Sequence, residues 1–524
     1  MRAAVARAQR RPLVLQTSAG WWKGEQDTNI TRDAEELLLR EFLGIGTPRL
    51  TTETARWNRS QQHGDGTWPV YFDGPGDLPT TVEEYLAPRL AGHRPRKPHM
   101  SRAAAWVRGH GGAEGSQVFT RMWMAMFGLR PWRGLPALPP ELALLPRTVP
   151  LNIYDWGYWA HQNVLPLTVV SHFRPSRPLP FTVPELHLAV CCPAPKARSA
   201  PWSVAGGIRR LNSAPHVWEE RVPHRHKPLR PRALRAIERW IVLRQDADGS
   251  WGGLQASWVY SILALHLLGY PLDHPVMRAA LDGPEVFIIR EDHPSGPVRR
   301  SEACQGPVWD TALSVIALLD SGLDPAHPAL AKAHPLAPRP GSTHLRGLGR
   351  ATSRDSTGRG AFEFHNAHYP DIDDTAEAVM ALGRHQPCDP VLARHSREAQ
   401  RRAVAWVIGT QSRDGGWGAF DADNISGLVT RLPFCGFGEV TGPPSTDVTA
   451  HAVEMLCAQG LASSQATREA VCHPLAQQEA DGSWFGRWGV NHVYGTGAVL
   501  PALAAAGIPP QHHPAVRRAV DWLA

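Results

Sequence analysis

Apolar residues recur at helical spacing in segments such as Arg235–Arg244 and Arg401–Thr410. An Asp-Gly or Gly-Gly turn follows each, and behind the turn runs a second apolar segment, Trp258–Leu268 and Asp447–Leu456 respectively. This pattern predicts a helical hairpin. The hairpin carries a signature: the first helix ends in Trp, a Gln follows at the fifth position, and a Gly-x-Trp turn closes six residues later. Trp57/Gln62/Trp68, Trp240/Gln245/Trp251 and Trp406/Gln411/Trp417 fit it fully. Gln478 with Trp484 lacks only the first Trp, and Gln16 with Trp21 is a looser relative. The Gln amide is expected to satisfy unpaired backbone groups at a neighbouring helix end while the indole packs on it. Repeated hairpins bury their faces by stacking, as an open solenoid or as a closed α/α barrel.

Four stretches break the pattern: Pro88–Arg102, Cys192–Arg232, Arg290–Gly306 and Leu323–Gly360. They are rich in Arg, Pro, His and Ser without helical or strand periodicity, and are expected to be long loops or disorder. At the other end, Arg517-Arg-Ala-Val-Asp-Trp522 copies Arg401-Arg-Ala-Val-Ala-Trp406. The Gln due five residues later would fall beyond Ala524, so the last repeat is expected to lack a packing partner and to leave apolar surface uncovered.

Length and charge narrow the class. At 524 residues the chain exceeds one ordinary domain. A net charge of +7 with scattered arginines and no finger or RNP string argues against nucleic acid, and fits a weak preference for anionic lipid head groups. The seven cysteines include no CxxC pair and no zinc spacing, which implies a reduced, intracellular protein without a structural metal. The apolar run after Met1 is too short for a secretory signal, and nothing reaches the roughly 18 apolar residues of a spanning helix, so membrane contact must be peripheral.

The candidate chemistry lies in Asp371-Ile-Asp-Asp-Thr-Ala-Glu377, at an expected helix start. Carboxyls this crowded cannot all ionise cheaply, so one is pushed toward holding a proton at neutral pH. Twenty tryptophans supply π faces, which stabilise a cation without attacking it. Acid plus aromatic faces suggests carbocation chemistry. Two blander readings compete: a helix N-terminus capped by Asp371, and a Mg²⁺ site, which lacks a second carboxylate cluster.

These residues together resemble the squalene–hopene cyclases, triterpene cyclases related to oxidosqualene cyclases. The Gln/Trp unit is similar to their QW repeat, and Asp371–Glu377 to their DxDDTA acid motif. Further matching strings are Val118-Phe-Thr-Arg-Met-Trp123, Pro150-Leu-Asn-Ile-Tyr154, Pro307-Val-Trp-Asp-Thr311, Pro433-Phe-Cys-Gly-Phe-Gly-Glu-Val440, Asp447-Val-Thr-Ala-His451 and Gly482-Ser-Trp-Phe-Gly-Arg-Trp-Gly-Val-Asn491. The resemblance implies an all-α fold of two α/α barrel domains: an N-terminal segment 1–20, a first barrel over 21–300, and a second over 301–524 that carries the acid motif and is incomplete at its end. It implies conversion of squalene to hopene or hopanol without a metal or organic cofactor. The expected partners are squalene or a similar polyprenoid, a membrane lipid surface and a second copy of the chain, with no nucleic acid. The expected place is the cytoplasmic side of the inner membrane, peripherally bound. The competing readings are an inactive helical-repeat fragment that binds apolar lipid, and a related cyclase for another polyprenoid.

By the same resemblance Asp373 is the proton donor, flanked by Asp371 and Asp374. His451 holds it as an imidazolium, and Asp447, four residues earlier, orients and charges the ring. Trp159, Trp309, Phe362, Phe420, Phe434, Phe437, Trp488 and Tyr494 match cavity aromatics, while Gln255 and Glu35 match polar residues that position water at the end of the reaction. Phe420 stands where Tyr is expected, Gly306 replaces a small polar residue, and Gly436 replaces an Asp. The stretch Cys192–Arg232 covers the place of the family's membrane-inserting helix.

Overall fold

The computed structural model describes residues 2–26, 29–188, 227–333, 361–363, 365, 370–385, 389–432, 439–508 and 513–524. Helix α1 (Arg2–Leu15) opens the chain. It is followed by α2 (Thr31–Leu43), α3 (Pro48–Ser60), α4 (Leu78–Leu90), α5 (Pro98–Gly109), α6 (Val118–Met126) and α7 (Tyr158–Phe173). Then come α8 (Arg230–Leu243), α9 (Gln255–Leu267), α10 (Pro275–Asp282) and a hairpin of β1 (Ile288–Glu291) and β2 (Val298–Ser301). The remainder comprises α11 (Pro307–Asp320), α12 (Pro328–Lys332), α13 (Ile372–Arg384), α14 (Pro390–Gly409), α15 (Thr446–Ala458), α16 (Gln465–Ala476), α17 (His492–Ala505) and α18 (Pro514–Leu523).

The helices divide into two compact units, each drawn from separated pieces of chain. Gln26–Cys304 with Ser426–Val440 forms the N-terminal unit; Met1–Glu25, Gln305–Ile425 and Thr441–Ala524 form the C-terminal unit. The first residues therefore do not stand apart as a segment of their own. Gln9 Nε2 of α1 donates to the Ser321 carbonyl at 2.9 Å, and the Trp22 indole packs with Ala312, Val315 and Leu330.

Two kinds of helix alternate, and burial explains which goes where. Helix α9 is buried on every side from Ser257 to Leu265, as is α15 from Thr446 to Val453, so both must be inner helices. Helix α8 buries only Arg230, Ala233, Ile237 and Ile241, a single stripe at spacings of three and four, and so lies outside. In the N-terminal unit the inner helices follow one another as α6, α4, α2, α9 and α7, each packed on the next. In the C-terminal unit the inner helices run α11, α13, α15, α17, each packed on the next. This two-layer winding is that of an α/α barrel.

The repeated Gln and Trp tie the layers, though not in the way expected. Each indole donates to a carbonyl ten residues upstream, in the last turn of the preceding outer helix: Trp68 to Asn58, Trp251 to Ile241, Trp417 to Val407 and Trp484 to Pro474, at 2.6 to 2.7 Å. Those carbonyls lie in the last turn, where the helix itself offers no i+4 donor, and among the described residues each accepts besides only from the N–H that ends the helix, of Gln61, Arg244, Thr410 or Gln477, or from the side chain there. The indole, not the Gln, ties down the helix end. The Gln amide instead donates to the Gly carbonyl of its own turn and to a first-turn carbonyl of the next outer helix: His99 for Gln62, Val276 for Gln245, Ala466 for Gln411 and Ala515 for Gln478. Gln16 makes the same pair of bonds, to Gly20 and Ala329, and its tryptophan is Trp22, which donates to Pro12 at 2.7 Å. The pairing of Gln16 with Trp21 is thus corrected by one residue, and the copy keeps the six-residue spacing of the others.

The glycine of each turn cannot be replaced. Gly249 has φ +89°, and a Cβ there would lie 2.1 Å from the Ala279 carbonyl oxygen of the next outer helix. Gly249→Ala is expected to destabilise the protein by about 2 kcal/mol or more, from backbone strain plus displacement of α10. A urea-unfolding midpoint that does not move would refute this account of the turn.

Two of the expected loops are ordered elements instead. Pro88 and Arg89 complete α4, and Pro98 begins α5 at the first helical position, where its missing N–H costs nothing. Arg290 and Glu291 lie in β1, and Val298–Ser301 forms β2. This stretch is pinned because Arg299, 1% exposed, meets both oxygens of Glu36 at 2.6 Å. Of the other two stretches, Arg230 begins α8 and Pro328–Lys332 forms α12, while 192–226 and 334–360 lie outside the described residues.

Candidate active site

The acid motif begins α13. Asp371 caps the helix: its backbone is extended and its Oδ1 accepts the Asp374 N–H at 2.7 Å. Ile372 N donates to the Ala419 carbonyl at 2.8 Å, which fixes the helix start to the Gln411–Trp417 turn. The capping reading is therefore correct for Asp371, and it leaves Asp373, Asp374 and Glu377 to be explained. All of them are buried.

Asp373 and Glu377 lie four residues apart and share a face of α13. That face meets His451 of α15. Its Nδ1 stands 2.5 Å from Asp373 Oδ1 and its Nε2 stands 3.7 Å from Glu377 Oε1, so the imidazole bridges the two carboxyls. Burial alone would lower the pKa of this ring, but the charge of Asp373, then that of Glu377, outweighs it and raises the value to about 10. His451 is an imidazolium at neutral pH. Burial raises Asp371 to about 7 and Glu377 to about 7. Asp374 is pushed well above the carboxylate range, by burial first and then by the charge of Asp371. The retained proton expected from crowding thus falls on Asp374.

Asp447 does not orient the ring by a hydrogen bond. Among the described residues its Oδ1 accepts from Ser445 Oγ at 2.6 Å and from Val448 N at 3.0 Å, and its Oδ2 accepts from Trp488 N at 2.8 Å. It acts on His451 through its charge, while the side chain facing the far nitrogen of the ring is Glu377. Glu377 closes the acid motif, and its four-residue spacing from Asp373 is the sequence signal that places the two carboxyls on one face.

Aromatic rings gather beside the imidazole. Trp309 of α11 has its ring 5.9 Å from that of His451, and Tyr494 of α17 stands edge-on at 6.0 Å. Phe420 and Trp488 pack edge to face at 5.4 Å, and Trp488 is 43% exposed, so the wall it was expected to form is open to solvent on that side. Phe362 covers Gly306, where a Cβ would come within 2.5 Å of its ring; the position has no room for the small polar side chain expected there. Phe434, Phe437 and Gly436 lie outside the described residues.

The three other candidates belong to the N-terminal unit. Trp159 is half-buried on α7. Gln255 opens α9, donates from Nε2 to the Arg32 carbonyl at 3.2 Å, and lines a small cavity of about 30 Å³ with Glu36, Trp258 and Phe287. Glu35 accepts from the Trp123 indole at 2.9 Å and from the Tyr260 hydroxyl at 3.0 Å, close to Glu83, which accepts from Thr120 at 2.5 Å. Burial raises both carboxyls. Trp123 closes one of the strings that carry the resemblance, without a role of its own there; Tyr260 and Glu83 go unmarked, because the sequence holds no local signal joining residues this far apart.

Residues 5–293 match the squalene–hopene cyclase N-terminal domain and residues 305–524 the C-terminal domain. The chain is 39% identical over 504 residues to the squalene–hopene cyclase of Alicyclobacillus acidocaldarius, covering 94% of this chain and 77% of that protein. This chain belongs to the squalene–hopene cyclase family. It is also 34% identical to the squalene–hopene cyclase of Zymomonas mobilis, covering 99% and 79%, and 31% identical to the dammaradiene synthase of Dryopteris crassirhizoma, covering 99% and 76%. The two regions that match the squalene–hopene cyclase domains meet near the boundary between the compact units at Cys304 and Gln305.

Within this squalene–hopene cyclase scaffold the charge on His451 has a measurable consequence. Its pKa is raised from 6.5 to about 10, so the ring stabilises the fold fully below about 6.5 and loses that contribution as pH rises through about 10. Glu377→Gln removes one of the three carboxyls whose charge holds the proton. The alkaline fall in melting temperature is expected to begin at lower pH in the variant, scanned from about pH 7 to about pH 11. An alkaline limb that stays in place would show that Glu377 does not hold the ring.

Proposed function

We infer that this chain is a triterpene cyclase that protonates squalene and closes it through carbocations to hopene or hopanol. The observation that carries the reading is the 2.5 Å contact between buried Asp373 and an imidazolium, in a chain of this family. Protonating an isolated alkene creates a tertiary cation, so the donor must be a far stronger acid than a carboxylic acid in water. In the donating state Asp373 carries a proton, and the charged ring against it stabilises the carboxylate left behind and favours release of that proton. Asp374, which keeps its own proton, adds no second negative charge. As rings close, positive charge moves along the folded substrate, and the faces of Trp309, Tyr494, Phe420 and Trp488 are suited to accompany it. Gln255 and Glu35 are assigned to the closing step, in which a water takes up a proton or adds to the last cation.

On this reading the partner is squalene or a like polyprenoid, drawn from a lipid surface on which the protein sits peripherally at the cytoplasmic face of the inner membrane. No helix among the described residues is long and apolar enough to cross a membrane. The two compact units correspond to the two barrels, and a second copy of the chain is a candidate partner. The test is incubation of the purified protein with squalene in detergent, followed by mass spectrometry. Pentacyclic products support the reading; squalene recovered unchanged under several detergents leaves a lipid-binding scaffold in its place.

A further inference from the structure

The connection between α4 and α5, singled out in the sequence for its Arg, Pro and His content, gathers positive charge without balancing it. His93 Nδ1 lies 3.1 Å from His99 Nε2, with the two half-buried rings edge to face at 5.2 Å. The charges acting on them come from every neighbouring element: Arg59 from the last turn of α3, Lys97 from the connection, and Arg102 from α5. All are positive. The carboxylate of the adjoining turn, Asp65, is engaged by Thr67 N and Oγ1. Among the described residues the side chains of Arg59, Lys97 and Arg102 have no ion-pair or hydrogen-bond partner. The placement is unfavourable twice over, because like charges repel and because Lys97 and His99 sit at the N-terminus of α5, the positive end of its dipole.

The cluster is also held in place. Gln62 Nε2 donates to the His99 carbonyl at 3.2 Å, and Gly66 sits so close that a Cβ there would lie 2.5 Å from Ala103 N. The same turn leads directly into Pro69–Gly76, whose tip exposes Val70 by 42%, Tyr71 by 64% and Phe72 by 88%. A rigid frame therefore carries converging cations that nothing in the described chain neutralises, with an exposed aromatic tip attached to it.

We propose that Arg59, His93, Lys97, His99 and Arg102 form a binding site for a phosphate group, borne either by an anionic lipid head group or by a free phosphorylated compound. A phosphate anion relieves the repulsion, accepts charge-assisted hydrogen bonds from the guanidinium and ammonium groups, and lies on the N-terminus of α5. Binding takes up protons. Both imidazoles are held below their ordinary range in the free protein, by burial and then by neighbouring cations, with His99 at about 4. A bound anion reverses the second cause, so affinity rises as pH falls.

The test uses the full chain and needs no squalene turnover, so it stands apart from the cyclase reading. Calorimetric titration with sulfate, whose charge is constant over the range, is run at about pH 6 and about pH 8, with inorganic phosphate beside it. Binding at least roughly fivefold tighter at the lower pH is expected, with a loss of at least roughly tenfold in Arg59→Ala/Arg102→Ala. Circular dichroism confirms that the variant, altered only at the surface, is folded. Sedimentation with phosphatidylcholine vesicles, with and without phosphatidylglycerol, separates the sources. If the anionic vesicles bind and Tyr71→Ser/Phe72→Ser releases them, the phosphate is a lipid's. If they do not bind while phosphate does, it is a free compound's. Equal affinity of wild type and the double arginine variant for sulfate, or no binding of either ion, overturns the proposal.

Discussion

Asp373→Asn is expected to abolish pentacyclic product, with turnover of squalene falling by at least roughly 10²–10⁴-fold. The amide keeps the shape of the side chain and can still touch His451, but it has no proton acidic enough to generate a tertiary cation. It also removes the largest charge that holds the ring protonated, so the pKa of His451 drops from about 10. Two readouts follow from one substitution: product by mass spectrometry, and the pH at which the alkaline fall in melting temperature begins. Asp374→Asn is the control. That carboxyl already keeps its proton, so an amide there preserves its charge state and is expected to preserve the fold. Retention of more than about a tenth of wild-type turnover in Asp373→Asn would end the assignment of the donor.

Trp417→Ala is expected to cost about 3–5 kcal/mol of stability. The indole is fully buried, donates to the Val407 carbonyl at 2.7 Å, and is anchored through its backbone N–H on Thr449 Oγ1 at 2.9 Å. Trp417→Phe divides the effect. It keeps most of the ring but removes one of the three hydrogen bonds that the Val407 carbonyl accepts, the others coming from Thr410 N at 3.1 Å and Thr410 Oγ1 at 2.9 Å, which costs about 0.5–1.5 kcal/mol. Trp488→Phe, at a 43% exposed ring, should stay within about 0.5 kcal/mol of wild type. If Trp417→Phe is as mild as Trp488→Phe in urea unfolding, the indole N–H does not tie the helix end.

The hairpin repeat was readable because its signature is local: Gln, turn glycine and Trp lie within seven residues, and each copy repeats the same bonds. The slip at the N-terminus came from the doublet Trp21-Trp22, where composition alone does not choose between neighbours and only the six-residue spacing does. The meeting of Asp373 with His451 rested on the resemblance, since 78 residues separate them and periodicity carries nothing over that distance. Asp447 charges His451 as its spacing suggests but does not hydrogen-bond to it. Its oxygens accept instead from Ser445 Oγ, Val448 N and Trp488 N, a competition visible only in three dimensions. The β hairpin escaped notice because its second strand reads Val-Arg-Arg-Ser, and Arg299 counts as polar until Glu36 is found beside it.

The interleaving of the two units constrains how the chain comes off the ribosome. Helix α1 is made long before its partner: the carbonyl that receives Gln9 is synthesised 312 residues later, after the whole span from Gln26 to Cys304 has been made. That span in turn waits for Ser426–Val440, whose last carbonyl receives the Gly157 N–H. Nascent α1, whose Leu13 packs on the cluster of Ala312, Val315, Leu318 and Leu330, is thus an orphan for most of translation and a natural client for a chaperone.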